Sequence, residues 1–180
     1  MPVSADAVLE DDEGRPVLRF ERVLRHPTER VWAALTDLDE LRRWHPSPFE
    51  LDGRVGGTVN FLAPEGKAFG SGRVTAYEPP RLLAYSWGED HLRWEIEPEG
   101  DDTRIVLTHT FDDRQKAARD AAGWDLCLTA LASSLSGEDV PPPTGEFAIP
   151  AGWNELNRAY EERFGIAPEE ATPPPKAARS

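Results

Sequence analysis

This 180-residue chain has a single cysteine, no long apolar run and fewer basic than acidic residues, and each lack closes a class of function. Cys127 stands alone, so no intramolecular disulfide and no CxxC zinc motif can form. Nowhere does an apolar run approach the roughly 20 residues that cross a bilayer. Met1-Pro2-Val3-Ser4-Ala5-Asp6 lacks the basic and apolar regions of a signal peptide. Cytoplasmic residence without membrane insertion is therefore expected. Lys and Arg number 20 against 33 Asp and Glu, for a net charge of -13. That balance argues against nonspecific nucleic-acid binding, which needs a basic surface to meet phosphate.

The usual catalytic and metal signatures are missing too. His26, His45 and His91 sit beside prolines or turns and share no HExxH-type spacing, so neither a metal nor a cofactor is expected. Gly53-Arg54-Val55-Gly56-Gly57 lacks the lysine and helix start of a phosphate loop. Ser71 and Ser86 have no GxSxG context. Asp101-Asp102 and Asp112-Asp113 fit a turn and a helix cap better than a catalytic carboxylate pair. No catalytic residue is assigned, and the chain reads more readily as a non-enzyme. Cys127, three residues after Trp124, reads as a small buried hydrophobe.

What is present is patterned. Residues 1–14 are acidic and read as loose. Val17 to Arg25 alternates as a half-buried strand, stopped by His26-Pro27. Thr28 to Thr36 reads as a helix with Val31, Trp32 and Leu35 on one face. Asp37 and Glu40 resemble a capping box for a second short helix carrying Leu38, Leu41 and Trp44. Strands then follow one another at hairpin spacing: Thr58–Leu62, Gly70–Tyr77, Leu82–Trp87, His91–Glu97 and Thr103–Phe111. Ala117, Ala121, Trp124, Leu128, Leu131 and Leu135 form an apolar helical stripe, with Lys116 and Asp120 opposite and Asp112 or Asp113 as cap. A proline-rich connector (138–150) leads to a short amphipathic helix between Gly152 and Gly165. Its Trp153, Leu156, Tyr160 and Phe164 should pack back onto the domain. Disorder is expected from 167 to 180.

A curved antiparallel sheet around one long helix leaves a space between them. Strand and helix phase direct Phe61, Val74, Tyr85, Trp87, Trp94, Leu107, His109, Trp124 and Leu128 toward it. These residues either line a cavity for a flat apolar ligand or fill a solid core. His109 is either a polar anchor for a ligand carbonyl or hydroxyl, or a structural histidine satisfied internally. Trp32 and Trp44 read as pins for the short helices. Arg22 either points inward toward a ligand carboxylate or lies solvated on its strand.

Val31-Trp32-Ala33-Ala34-Leu35-Thr36-Asp37 with Leu41 and Trp44, Gly56-Gly57, Gly72-Arg73-Val74, Pro79-Pro80-Arg81-Leu82-Leu83, Tyr85-Ser86-Trp87, Leu107-Thr108-His109-Thr110 and Gly123-Trp124 together carry a family resemblance. From about Val17 to Leu135 the chain resembles the activator-of-heat-shock-protein-ATPase-like branch of the SRPBCC (START-like, birch-pollen-allergen-like) superfamily. The resemblance implies an α+β helix-grip fold over 15–137 and a hydrophobic cavity. The segment 138–166 is an extension beyond the minimal member. The implied functions are binding of a small hydrophobic molecule (lipid, polyketide-like or aromatic), a cyclase/aromatase-type enzyme, or a co-chaperone-like partner of a chaperone in the stress response.

Overall fold

The computed structural model describes residues 5–63 and 65–168. Twelve elements follow in chain order: β1 (Val8–Asp12), β2 (Arg15–Leu24), α1 (Thr28–Thr36), α2 (Leu38–Leu41), β3 (Phe49–Leu51), β4 (Thr58–Leu62), β5 (Ala68–Glu78), β6 (Leu82–Trp87), β7 (Asp90–Glu99), β8 (Asp102–Thr110), α3 (Ala117–Leu135) and α4 (Trp153–Phe164). The strands form one curved antiparallel sheet in the order β1-β2-β8-β7-β6-β5-β4-β3, so β2 closes beside β8 and the remainder is a meander. The long helix α3 is the one the sheet grips, and the class is α+β as the sequence predicts. No helix among the described residues is long and apolar enough to cross a membrane.

Register sets the inner face. Leu18 pairs with His109, His109 with Leu92, Leu92 with Tyr85 and Tyr85 with Val74, giving one row across five strands. Phe20, Leu107, Trp94 and Leu83 form the next. Because side chains alternate faces along a strand, this register fixes both rows on one side of the sheet. Gly72 permits the close approach of β5 to β6: a Cβ there would meet the Ser86 carbonyl oxygen at 1.8 Å.

Three local expectations are corrected. Val8–Asp12, within the segment read as loose, is the edge strand β1, pairing Val8 with Arg19 and Asp12 with Arg15. The hairpin turns on Glu13 (φ 52°) and Gly14 (φ 85°), while the Asp11 carboxylate accepts from the Gly14 N–H. Its acidic side chains suit a sheet edge facing water. The capping box is half made: Asp37 accepts from the Asp39 N–H, but Glu40 pairs with Arg30 of α1. Asp120, read as lying on the solvent side of α3, is 3% exposed.

The segment after α3 packs back onto that helix. Trp153, Leu156, Tyr160 and Phe164 of α4 are buried in the same core as α3, and α3 is buried on several sides. Tyr160 donates to Asp125 of α3 at 2.6 Å and accepts from the Ala7 N–H at 3.2 Å. Arg163 donates to the Ala7 carbonyl, and Arg114 to the Phe164 carbonyl. Ala7 is thus bound to α4, and α4 to α3. The disorder expected for 167–180 lies, from 169 onward, outside the described residues.

Candidate functional site

The candidate site is where α3 meets the inner face of β4 to β8. Sheet register delivers Phe61, Val74, Tyr85, Trp87, Trp94, Leu107 and His109 to it, while α3 supplies Trp124 and Leu128. Each is at most 5% exposed. The structure brings these side chains into one core cluster with His109 among them, and the rings touch. Phe61 stacks on Trp87 at 4.9 Å, and Trp94 meets Trp124 edge-on at 5.8 Å.

The turn after α2 supplies residues that sequence pattern did not assign to the site. The Trp44 indole N–H donates to the Ala34 carbonyl, pinning α2 to α1, while its ring meets Trp94 at 5.7 Å. His45, which the sequence shows only as a histidine before a proline, is 1% exposed. Its ring lies 5.3 Å from Phe49, 5.6 Å from Trp124 and 5.9 Å from Trp87. Phe49, on β3, meets Tyr85 at 5.1 Å. Apart from Phe49, the rings around Trp44 and His45 (Trp87, Trp94 and Trp124) are distant in sequence, so no local periodicity signals their burial. The tryptophan beside the histidine is the one hint.

Two polar chains run through the rings. In the first, the Trp124 indole N–H donates to His109 Nδ1 at 2.9 Å. His109 Nε2 therefore carries its hydrogen toward the Asp90 carboxylate, 2.8 Å away. Both imidazole nitrogens are engaged by the protein itself. In the second, the Ser47 backbone N–H donates to His45 Nδ1 at 2.9 Å, which places the hydrogen on Nε2. That nitrogen faces the Tyr85 hydroxyl at 3.5 Å. The Trp94 indole N–H donates to the same hydroxyl at 3.3 Å. Burial disfavours the imidazolium and pushes His45 down to about 3, so this ring is neutral at physiological pH. Burial raises the Tyr85 phenol above its ordinary value, partly opposed by the Trp94 bond. Burial likewise raises the Cys127 thiol, leaving it a small apolar side chain.

Arg22 takes a third course from the two the sequence offers. It shares the inner phase of β2 with Leu18 and Phe20, yet its guanidinium pairs with Asp125 at 3.2 Å and Asp6 at 2.9 Å. Burial raises the Asp125 carboxyl, against the lowering effects of the Tyr160 bond and Arg22. Among the described residues no group of three or more His, Cys, Asp or Glu could hold a metal.

Half-buried Trp32, Leu51, Phe69 and Tyr77 pack around the rim of the core, with Trp32 and Tyr77 edge-on at 5.6 Å. On the other side of α3, an apolar pocket of about 320 Å³ lies between Leu126 and Ala130 of the helix and Pro141, Pro143 and Phe147 of the connector. Val140, Phe147 and Ile149 are each more than two-fifths exposed there.

The model of the family described as activator of Hsp90 ATPase homolog 1-like protein matches residues 25–136. No curated protein matches the chain. Among solved structures, a protein from Bordetella parapertussis is 30% identical over 91% of this chain and 95% of that one, with a TM-score of 0.63. A conserved protein of unknown function from Enterococcus faecalis is 19% identical, with a TM-score of 0.71, over 89% of this chain and 91% of that one. CalU16 from Micromonospora echinospora is 22% identical, with a TM-score of 0.68, over 91% and 96%. The last two likenesses are of fold.

Proposed function

Since the chain belongs to the activator of Hsp90 ATPase homolog 1-like family, whose fold suits a hydrophobic ligand-binding domain, we propose that it binds a small hydrophobic molecule (a lipid, polyketide-like or aromatic compound) between α3 and the sheet. The observation that carries this reading is the concentration of aromatic rings on both walls of that space, with the short segment bearing Trp44, His45 and Phe49 laid across them. The ligand enters past this segment, through the rim formed by Trp32, Leu51, Phe69 and Tyr77. Affinity comes from removing apolar surface from water, about 2.5 kcal/mol per 100 Å². Neither buried imidazole has a free lone pair to take a proton from a substrate: His109 Nδ1 accepts from Trp124 and His45 Nδ1 from Ser47, with the hydrogen of each ring on Nε2. Carriage rather than cyclase chemistry is therefore the reading. Native mass spectrometry of the protein purified from its own host tests it. The expected result is a retained small molecule whose loss on mild denaturation changes tryptophan emission. Protein that carries none, and whose emission no apolar compound alters, overturns the reading.

A second reading, contact with a chaperone, has one observation in its favour. Val140, Phe147 and Ile149 stand exposed along the connector beside the outer pocket of α3. Stimulation of a chaperone ATPase by this chain, abolished by Phe147→Ser, is the outcome it requires.

A further inference from the structure

The second polar chain is unbalanced. His45 Nε2–H and Trp94 Nε1–H both point at the Tyr85 oxygen, and both distances, 3.5 and 3.3 Å, are long for hydrogen bonds. The Tyr85 hydroxyl also has a hydrogen of its own. His45 Nε2 cannot receive it, because the Ser47 N–H occupies Nδ1 and leaves Nε2 as the donor. Among the described residues that hydrogen has no acceptor. Two N–H groups therefore converge on the Tyr85 oxygen, and the hydroxyl's own hydrogen is left over, inside a nest of aromatic rings. Buried polar groups are normally matched by partners.

We propose that this cluster is the recognition element for an uncharged carbonyl oxygen on an otherwise apolar ligand (a ketone, ester or amide). The proposal rests on the carrier reading above and specifies what the carrier selects. A carbonyl oxygen supplies the acceptor the cluster lacks, through two lone pairs, and displaces no existing strong bond. A carboxylate fits worse. The three donors are neutral, and Arg22 of the same inner face is already held by Asp6 and Asp125. An anion would be desolvated without a countercharge. A plain hydrocarbon fits the rings but leaves the hydrogens unmatched. His109, with both nitrogens occupied, plays no part in the selection.

Two pairs of probes that differ only at the carbonyl test this with the full chain: fluorenone against fluorene, and 2-acetylnaphthalene against 2-ethylnaphthalene. Tryptophan quenching and calorimetry give the affinities. The expected result is that each carbonyl compound binds about tenfold more tightly than its partner, the discrimination expected of one well-made hydrogen bond. Tyr85→Phe brings the ratio close to one, whereas Tyr160→Phe, on α4 and outside the ring cluster, lowers the melting temperature and leaves the ratio unchanged. Infrared difference spectra of ¹³C-labelled fluorenone bound to the wild-type chain add a readout that needs no variant: the carbonyl stretch moves to lower frequency than in hydrocarbon solvent. Equal affinities within both pairs, or an unshifted stretch, overturn the carbonyl proposal and leave the carrier reading standing. Failure of all four compounds to bind overturns both.

Discussion

At the scale of single residues, His45 is the position whose environment departs furthest from what its neighbours in sequence suggest. Its ordinary value is near 6.5, and burial takes it to about 3. Between those limits the unfolded chain holds a proton that the folded chain refuses. The stability tied to neutral His45 is therefore fully present above about pH 6.5 and is lost as the pH falls toward 3, at up to about 1.4 kcal/mol per pH unit. His91, lowered by burial and then by Arg93 and Arg15, acts in the same direction. Asp125, with a raised value, acts in the opposite one. Comparison of wild type with His45→Gln removes both, since they are common to the two proteins. Urea midpoints measured from about pH 6 to about pH 4 should fall less steeply in the variant. Parallel slopes would show that the imidazole meets water in the folded state.

At the scale of elements, strand phase was legible because alternation along β6, β7 and β8 repeats within each segment. Leu83, Tyr85 and Trp87 lie on the buried face, as do Leu92, Trp94 and Ile96. β1 was not legible. Its residues (Val8-Leu9-Glu10-Asp11-Asp12) read as solvated acid, and it becomes a strand through pairing with β2. The junction of α4 with α3 was half legible. The stripe Trp153, Leu156, Tyr160 and Phe164 announces a buried face, but nothing local announces that the Tyr160 hydroxyl will reach Asp125 of another helix. That bond makes the extension part of the domain, because the same carboxylate holds Arg22 of β2. Tyr160→Phe keeps the ring and its stacking on Phe164 while removing a hydrogen bond to a buried carboxylate. A loss of about 1–3 kcal/mol is expected from chemical denaturation. A change within experimental error would mean that Asp125 is satisfied by Arg22 alone.

For the molecule as a whole, the order of strands and helices was enough to reach the helix grip, since a meander ending in an amphipathic helix has few ways to bury both apolar faces. The interior was less accessible. Phase shows which side chains point inward, yet whether rings stand apart or touch depends on contacts such as Trp44 with Trp94, across some fifty residues of chain. Charge belongs to this scale as well. The net -13 is spread over a surface where exposed pairs such as Arg54 with Asp52 and Arg42 with Asp39 contribute little individually. The folded state gathers that charge into a smaller volume than the unfolded chain does, so self-repulsion opposes folding. Sodium chloride at about 0.5 M shortens the screening length to roughly 4 Å and weakens the repulsion. The urea midpoint at neutral pH should rise with salt. The gain should vanish close to the isoelectric point of about 4.7, where there is no net charge left to screen. A midpoint that falls with salt at neutral pH would mean that the attractive pairs, Arg22 with Asp6 and Asp125 foremost among them, outweigh the excess of acid.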